Sequence, residues 1–258
     1  MNDLAGFAMA LDEAARTARA IRQLSSSVSL GLSDAYDVQA RVVARRIERG
    51  ERVIGVKLGF TSRAKALQMG VHDLIVGRLT DEMLIEDNGR VDLRRFVHPR
   101  IEPEIAFLLK APLTPRMNVA QAMTTVAAVA PAMELIDSRY ESFEFNLTDV
   151  VADNCSSAGL VIGPWCSPDV DISNLGVVLE FNGRPAQIGS TAAILGHPQR
   201  AIAALARLAD VAGIELLPGW IVLAGAATAA EPLRPGMHVR TVIQRLGAVC
   251  VTTSTADA

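Results

Sequence analysis

In the run "PRIEPEIAFLL", Glu102 and Glu104 stand two residues apart inside a segment whose other side chains read as buried strand. Strand side chains alternate between faces, so the two carboxylates share one face. A third acid, Glu134, sits in the equally apolar run "APAMELI". Carboxylates on buried segments need a positive partner. A hard divalent cation such as Mg²⁺ or Mn²⁺ takes oxygen ligands and keeps positions open for a substrate. The competing reading pairs these acids with Arg100 or Arg139, or leaves them on a wet strand face.

Lys57 interrupts another apolar run, "VIGVKLGF". Desolvation lowers a lysine pKa and makes it a general acid or base near neutrality, whereas a lysine at a sheet edge snorkels to solvent. Thr61 and Ser62, just after it, either bind a carboxylate or cap a helix beginning at Arg63. In "VVADNCSSAG" (150–159) Asp153, Asn154, Ser156 and Ser157 offer donors and acceptors suited to a binding loop, and an ordinary Asx turn uses the same residues. Cys155 lies in that segment without a histidine close in sequence. No phosphate-binding glycine loop, dinucleotide fingerprint or nucleophile elbow occurs, and the four histidines have no metal-ligand spacing.

The elements that must position these residues can be read from periodicity. Apolar side chains at helical spacing predict a helix over residues 3–24, and "DAYDVQARVVARRIERG" predicts a second, closed by Gly50. "RVIGVKLGF" reads as a strand, "SRAKALQMG" as a short helix, and "EDNGRV" as a hairpin turn. Strands are then expected at 99–109, 131–137, 158–163, 176–182, 185–190, 220–224, and 237–251 as a hairpin or meander. "FNGRP" marks a tight turn, and "HPQRAIAALARLADVAG" reads as a helix. This layout is α+β: a mainly helical N-terminal region, residues 1–75, leads into a β-rich catalytic domain, 76–258.

The 258 residues, half of them hydrophobic, suffice for a substantial core, and a net charge of −3 with scattered Lys and Arg leaves no footprint for nucleic acid. Three widely separated cysteines indicate neither a disulfide framework nor a zinc site. The first residues lack the pattern of a signal peptide, and no apolar run spans a bilayer, so a cytoplasmic enzyme of small molecules, without membrane association, is expected.

Taken in order, "GVKLGFTSRAKALQMGV", "PRIEPEIAFLL", "PAMELIDSRY" and "VVADNCSSAG" resemble the signature segments of the 2-keto-4-pentenoate hydratase and 4-oxalocrotonate decarboxylase family, within the fumarylacetoacetate hydrolase superfamily. The resemblance continues through "GSTAAILGHP" and "LPGWIVLAGAATAAEPLRPGMHV", covering nearly the whole chain. It implies a mixed β-sandwich or roll with an N-terminal helical region, a Mg²⁺ or Mn²⁺ ion on Glu102, Glu104 and Glu134, catalytic Lys57, and no organic cofactor. Thr61, Ser62 and Ser156 become candidates for binding a dicarboxylate substrate. Self-association, and association with the hydratase of the same pathway, are also implied.

Within that family one branch adds water and the other removes CO₂. The segment "IDSRYESFEFNLTDVVADNCSS", with Tyr140, Phe143 and Phe145, is more similar to the decarboxylating branch. Hydratases carry an acid just before a Phe-Gly pair, whereas this chain reads "GVHDLIVG", with Val76 before Gly77 and Asp73 displaced. The expected reaction is therefore metal-dependent loss of CO₂ from 2-oxohex-3-enedioate. Hydration of 2-hydroxypenta-2,4-dienoate, carbon–carbon hydrolysis and a non-catalytic metal-binding partner subunit are the rivals. Arg139 and His197 are the candidates for the substrate's distal carboxylate.

Overall fold

The computed structural model describes residues 3–62 and 74–255. Helix α1 (Leu4–Thr17) starts at Asp3, whose carboxylate accepts from the Gly6 N–H. It ends well before residue 24 because Ala18 turns left-handed and Ile21 is taken by a backbone bridge to Tyr140. Helix α2 (Leu32–Glu48) packs along it, and buried Asp12 of α1 accepts from Arg45 of α2 and from Arg49 just after it. The short helix expected from Ser62 to Gly70 lies, from residue 63 onward, outside the described residues, as does Asp73.

Strands β1 (Val53–Gly59), β2 (Ile75–Thr80) and β3 (Leu84–Ile85) are followed by β4 (Gly89–Val91) and two long strands, β5 (Arg100–Leu109) and β6 (Val126–Ile136). Helix α3 (Val119–Met123) separates the long pair, and α4 (Leu147–Ala152) precedes β7 (Ser157–Ile162). Then come the hairpin β8 (Gly176–Phe181) and β9 (Arg184–Ser190), helix α5 (Gln199–Val211), β10 (Ile221–Ala226), β11 (Glu231–Pro232), and the pair β12 (His238–Ile243) and β13 (Gly247–Thr253). The β8–β9 turn uses Asn182 and Gly183, both left-handed, as a tight hairpin requires.

The strands form two sheets. The larger runs β2-β1-β10-β5-β6-β7-β3, with β11 added on β5, and the smaller runs β4-β13-β12-β8-β9. The expected "EDNGRV" hairpin is absent: β3 pairs with β7 in one sheet and β4 with β13 in the other, so the turn carries the chain between sheets. The segment 150–159, expected to be a loop, is instead the end of α4, a single 3₁₀ turn and the start of β7. Strand β1 falls before residue 75 yet sits inside the larger sheet, between β2 and β10.

The larger sheet is rolled, bringing β2 close to β7 although four strands separate them in the pairing order. Leu79, Ala106, Ala130, Ala132, Leu160 and Leu223, all fully buried, fill its interior. The outer face of β5–β7 contributes Ile101, Met133, Leu135 and Val161 to a second core against Leu179, Val239, Val249 and Val251 of the smaller sheet. The helices cover the remaining faces. This is the α+β sandwich and roll anticipated from the sequence.

One glycine shapes the roll beside the interior. The β10–β5 pairing slips between Leu223 and Ala226, where Gly225 has φ +106°, and a Cβ there would lie 1.9 Å from Thr61 Oγ1. Gly225→Ala is therefore expected to destabilise the fold by about 2–5 kcal/mol, read as a lowered urea midpoint with unchanged slope.

Candidate metal centre

Strand register assembles the acids. Glu102 pairs directly with Glu134 across the antiparallel β5–β6 ladder, and Glu104 is the next residue of β5 on that face. All three are buried, and one carboxylate oxygen from each lies within 4.8 Å of the others. The face they share is the interior of the roll, continuing along the same strands into Ala106, Ala132 and Ala130.

Lys57 reaches this cluster from β1. Two strands, β10 and β5, lie between it and β6, a separation of about 14 Å in a flat sheet. Curvature closes that gap: Lys57 Nζ stands 3.1 Å from Glu134 Oε1 and 3.2 Å from Oε2. Ser157 Oγ donates to Glu134 Oε1 at 3.1 Å, and the Gly225 N–H donates to Glu104 Oε2 at 2.7 Å. The other Glu104 oxygen is buried with no hydrogen-bond partner.

These groups perturb one another. Burial raises the Glu104 carboxyl well above its ordinary range, Glu134 and Glu102 push it further, and Lys57 and the Gly225 N–H pull only partly back. Glu134 is likewise raised, by burial first, with Lys57 opposing. For Lys57 burial acts downward, but Glu134 and the other carboxylates outweigh it, so the ammonium is held above its ordinary value. That reverses the direction expected for a lysine desolvated alone. A Glu104 oxygen left without a partner among the described residues and an all-oxygen donor set fit a hard divalent cation.

The arginines considered as alternative partners are placed elsewhere. Arg139, buried, is tied to the Asp153 carboxylate and to the carbonyls of Asp137, Asp153 and Ser157. Four of its five N–H donors are used in these bonds. His197 accepts the Gln199 N–H through Nδ1 at the start of α5. Arg100 lies over the Phe143 ring.

Of the residues proposed to bind substrate, Thr61 is buried against Gly225 and accepts the Leu195 N–H through its carbonyl, while Ser62 is half-buried beside it. Ser156 is buried, and its hydroxyl has no partner. Asn154, Cys155 and Ser156 are three successive left-handed residues, an unusual run for side chains with a Cβ. Asn154 holds the run to β2, its amide accepting the Arg78 N–H and donating to the Arg78 carbonyl, both at 2.8 Å. Buried Gln39 of α2 adds bonds to the Val76 and Val151 carbonyls, the Cys155 sulfur and the Arg78 guanidinium. Burial pushes the Cys155 thiol up to about 12, so it is no nucleophile at neutral pH.

Sequence reasoning passed over Gln39 and Gly225, whose roles depend on contacts remote in the chain; of the two serines it named in 150–159, Ser157 is bonded to Glu134. A cavity of about 400 Å³ between α1, α2 and residues 94–96 is lined by none of the three acids, and of its arginines 16, 46, 49, 94 and 139 are paired with acids.

Residues 52–253 match the fumarylacetoacetate (FAA) hydrolase C-terminal family. The chain is 51% identical to a 4-oxalocrotonate decarboxylase of Pseudomonas sp. over 247 residues, 96% of each chain. It is similar at 34% identity, over 92% of each chain, to a 2-hydroxyhexa-2,4-dienoate hydratase of Comamonas testosteroni. The solved 4-oxalocrotonate decarboxylase of Pseudomonas putida G7, complexed with magnesium and adipate, superimposes with a TM-score of 0.94 at 37% identity, covering 97% of both chains.

If the triad is the metal site, Glu104→Gln should weaken Mn²⁺ binding, followed by electron paramagnetic resonance, by at least about tenfold. Without metal the variant should melt no lower than the parent, because it removes a buried like charge, and its melting temperature should no longer rise with Mg²⁺.

Proposed function

The chain belongs to the fumarylacetoacetate hydrolase family, and from that membership together with its interior acid cluster we propose metal-dependent decarboxylation of 2-oxohex-3-enedioate. The products are 2-hydroxypenta-2,4-dienoate and CO₂, a carboxy-lyase step in the meta-cleavage catabolism of aromatic compounds. The observation carrying this reading is the set of three buried carboxylates with a buried lysine, in a chain half identical to a decarboxylase over nearly its full length.

A Mg²⁺ ion held by Glu102, Glu104 and Glu134 supplies Lewis-acid polarisation of the 2-oxo group. The C5–C6 bond breaks, C6 leaves as CO₂, and its electron pair moves through C4 and C3 to the 2-oxygen, giving a dienolate. One proton on that oxygen completes the product. Lys57, kept protonated by Glu134, brings a positive charge and a transferable proton into the interior where this negative charge develops. Ser157 and the Gly225 N–H fix the carboxylates, and Thr61, Ser62 and Ser156 supply hydrogen bonds to the substrate's oxygens.

The β2 wall favours loss of CO₂ over addition of water. Gly77 pairs with Lys57, and the residue two before it, where a hydratase has its acid, is Ile75. Ile75 is buried and lies on the same strand face as Gly77. An apolar side chain there cannot deprotonate a water.

No helix of the described residues is long and apolar enough to cross a membrane. A cytoplasmic location, self-association and a complex with the pathway hydratase remain part of the proposal, supported by the family resemblance alone.

Purified protein with Mg²⁺ should release CO₂ from 2-oxohex-3-enedioate, and exhaustive chelation should abolish it. Metal-dependent consumption of 2-hydroxypenta-2,4-dienoate without CO₂ would instead assign the chain to the hydratases. Lys57→Ala should reduce kcat by at least about 10²-fold while Mn²⁺ binding is retained.

A further inference from the structure

Resting on the decarboxylase reading above, we infer that Arg100, with His98 and the ring of Phe143, forms the site that receives the substrate's distal carboxylate. The roll leaves one direction along its strands for a ligand that starts at the acid triad. Inward, β5 continues as Ala106 and β6 as Ala132 and Ala130, sealed by Leu79, Leu160 and Leu223, all fully buried and apolar. The described cation at that level, Lys57, is already paired with Glu134. Outward, the residue of β5 next to Glu102 on the same face is Arg100, displaced by two residues of strand, about 6.6–6.8 Å. An extended six-carbon diacid anchored by its 2-oxo acid end covers a comparable length.

Arg100 is held ready rather than neutralised. Its guanidinium carbon stands 4.3 Å from the centroid of the Phe143 ring, and among the described residues it makes no ion pair. The His98 ring lies 5.2 Å from the same phenyl ring, and its Nε2 is buried without a hydrogen-bond partner. Two nitrogen-bearing groups thus meet at one aromatic ring, with neither an Arg100 ion pair nor a His98 Nε2 hydrogen bond among the described residues. Phe143 reaches this position through backbone strain: Ser142 and Phe143 both have φ +59°, a conformation bulky side chains rarely adopt. Phe145, 5.8 Å from Phe143, backs the ring.

The chemistry assigns this site to binding and substrate choice. The carboxylate that Arg100 receives is the one that leaves as neutral CO₂, so the attraction is strongest before the C5–C6 bond breaks and fades as charge departs toward the 2-oxygen. An interaction stronger in the ground state lowers KM without raising kcat. The aromatic face beside the guanidinium offers the neutral product an apolar surface. A monocarboxylate of equal length gains nothing from Arg100, which makes the residue a selector for diacids.

The test compares the parent protein, Arg100→Met and Arg100→Lys in CO₂ release from 2-oxohex-3-enedioate, with adipate and oxalate as competing ligands. Oxalate probes the metal end alone; adipate spans both ends. Arg100→Met should raise KM and the adipate inhibition constant by at least about tenfold, with kcat not falling in proportion and oxalate inhibition unchanged. Arg100→Lys, which keeps the charge, should recover part of the loss. Unchanged adipate inhibition, parallel weakening of adipate and oxalate, or a loss confined to kcat would each overturn the assignment. Absence of CO₂ release by the parent protein would overturn the decarboxylase reading instead.

Discussion

Three carboxylates buried on one face of a sheet set the terms for the rest of this structure. Ionised together in an apolar interior they repel one another, and burial raises the cost of each charge. Three described neighbours of the cluster lower that cost: Lys57 from across two strands, the Gly225 N–H from a bulge in β10, and Ser157 from the start of β7. Even so, Glu104 and Glu134 remain raised and one Glu104 oxygen remains unpaired. The arrangement is costly as a resting cluster and economical as a cation-binding site, because a divalent ion offsets the repulsion that keeps Glu104 and Glu134 raised.

The roll follows from the same requirement. A flat sheet with this strand order holds Lys57 and Glu134 too far apart for contact, so the function selects curvature, and curvature needs local departures from regular strand. Gly225 supplies one, in a conformation and a space that exclude a Cβ. The left-handed run Asn154–Ser156 supplies another, crossing the edge at β2. That run is unfavourable alone and is held by the Asn154–Arg78 backbone mimicry and by Gln39. Gln39 lies on α2, so the N-terminal helices help to fix a segment that delivers Ser157 to Glu134.

Much of this was legible in the sequence because it depends on local alternation. The spacing of Glu102 and Glu104 determines their common face, and a charge amid "VIGVKLGF" marks Lys57 as exceptional wherever that strand sits. The pairing of Glu134 opposite Glu102 is a long-range register, which only the assembled β5–β6 ladder settles. The net effect on Lys57 was misjudged for the same reason: desolvation is visible in the strand, whereas the opposing carboxylates are not. The β2 strand and α4 escaped because each is short and runs into polar turn residues, so its apolar period is truncated. "EDNGRV" has sound hairpin chemistry, but its flanking strands find better partners in β7 and β13. A turn specifies a reversal, not the sheet that receives each strand.

The relatives that hydrate and those that decarboxylate share one scaffold, and the triad cannot be what separates them, since polarising a 2-oxo group serves both reactions. The difference must lie in groups that touch the far end of the conjugated chain. Adding water requires a base to create a nucleophile and a place for that water beside the carbon it attacks. Losing CO₂ requires neither, and is served by walls that keep water out while a carboxylate sheds its charge. Ile75 on β2, on the strand face that carries Gly77 opposite Lys57, meets the second requirement and fails the first. In the proposed reaction the electrons collect at the acid triad, where the dienolate oxygen would form, and the β2 face carrying Ile75, Gly77 and Leu79 is apolar. Such a distribution stabilises electron flow away from the leaving group and offers nothing to an incoming water, so the branch of chemistry is written in the wall and not in the ligands.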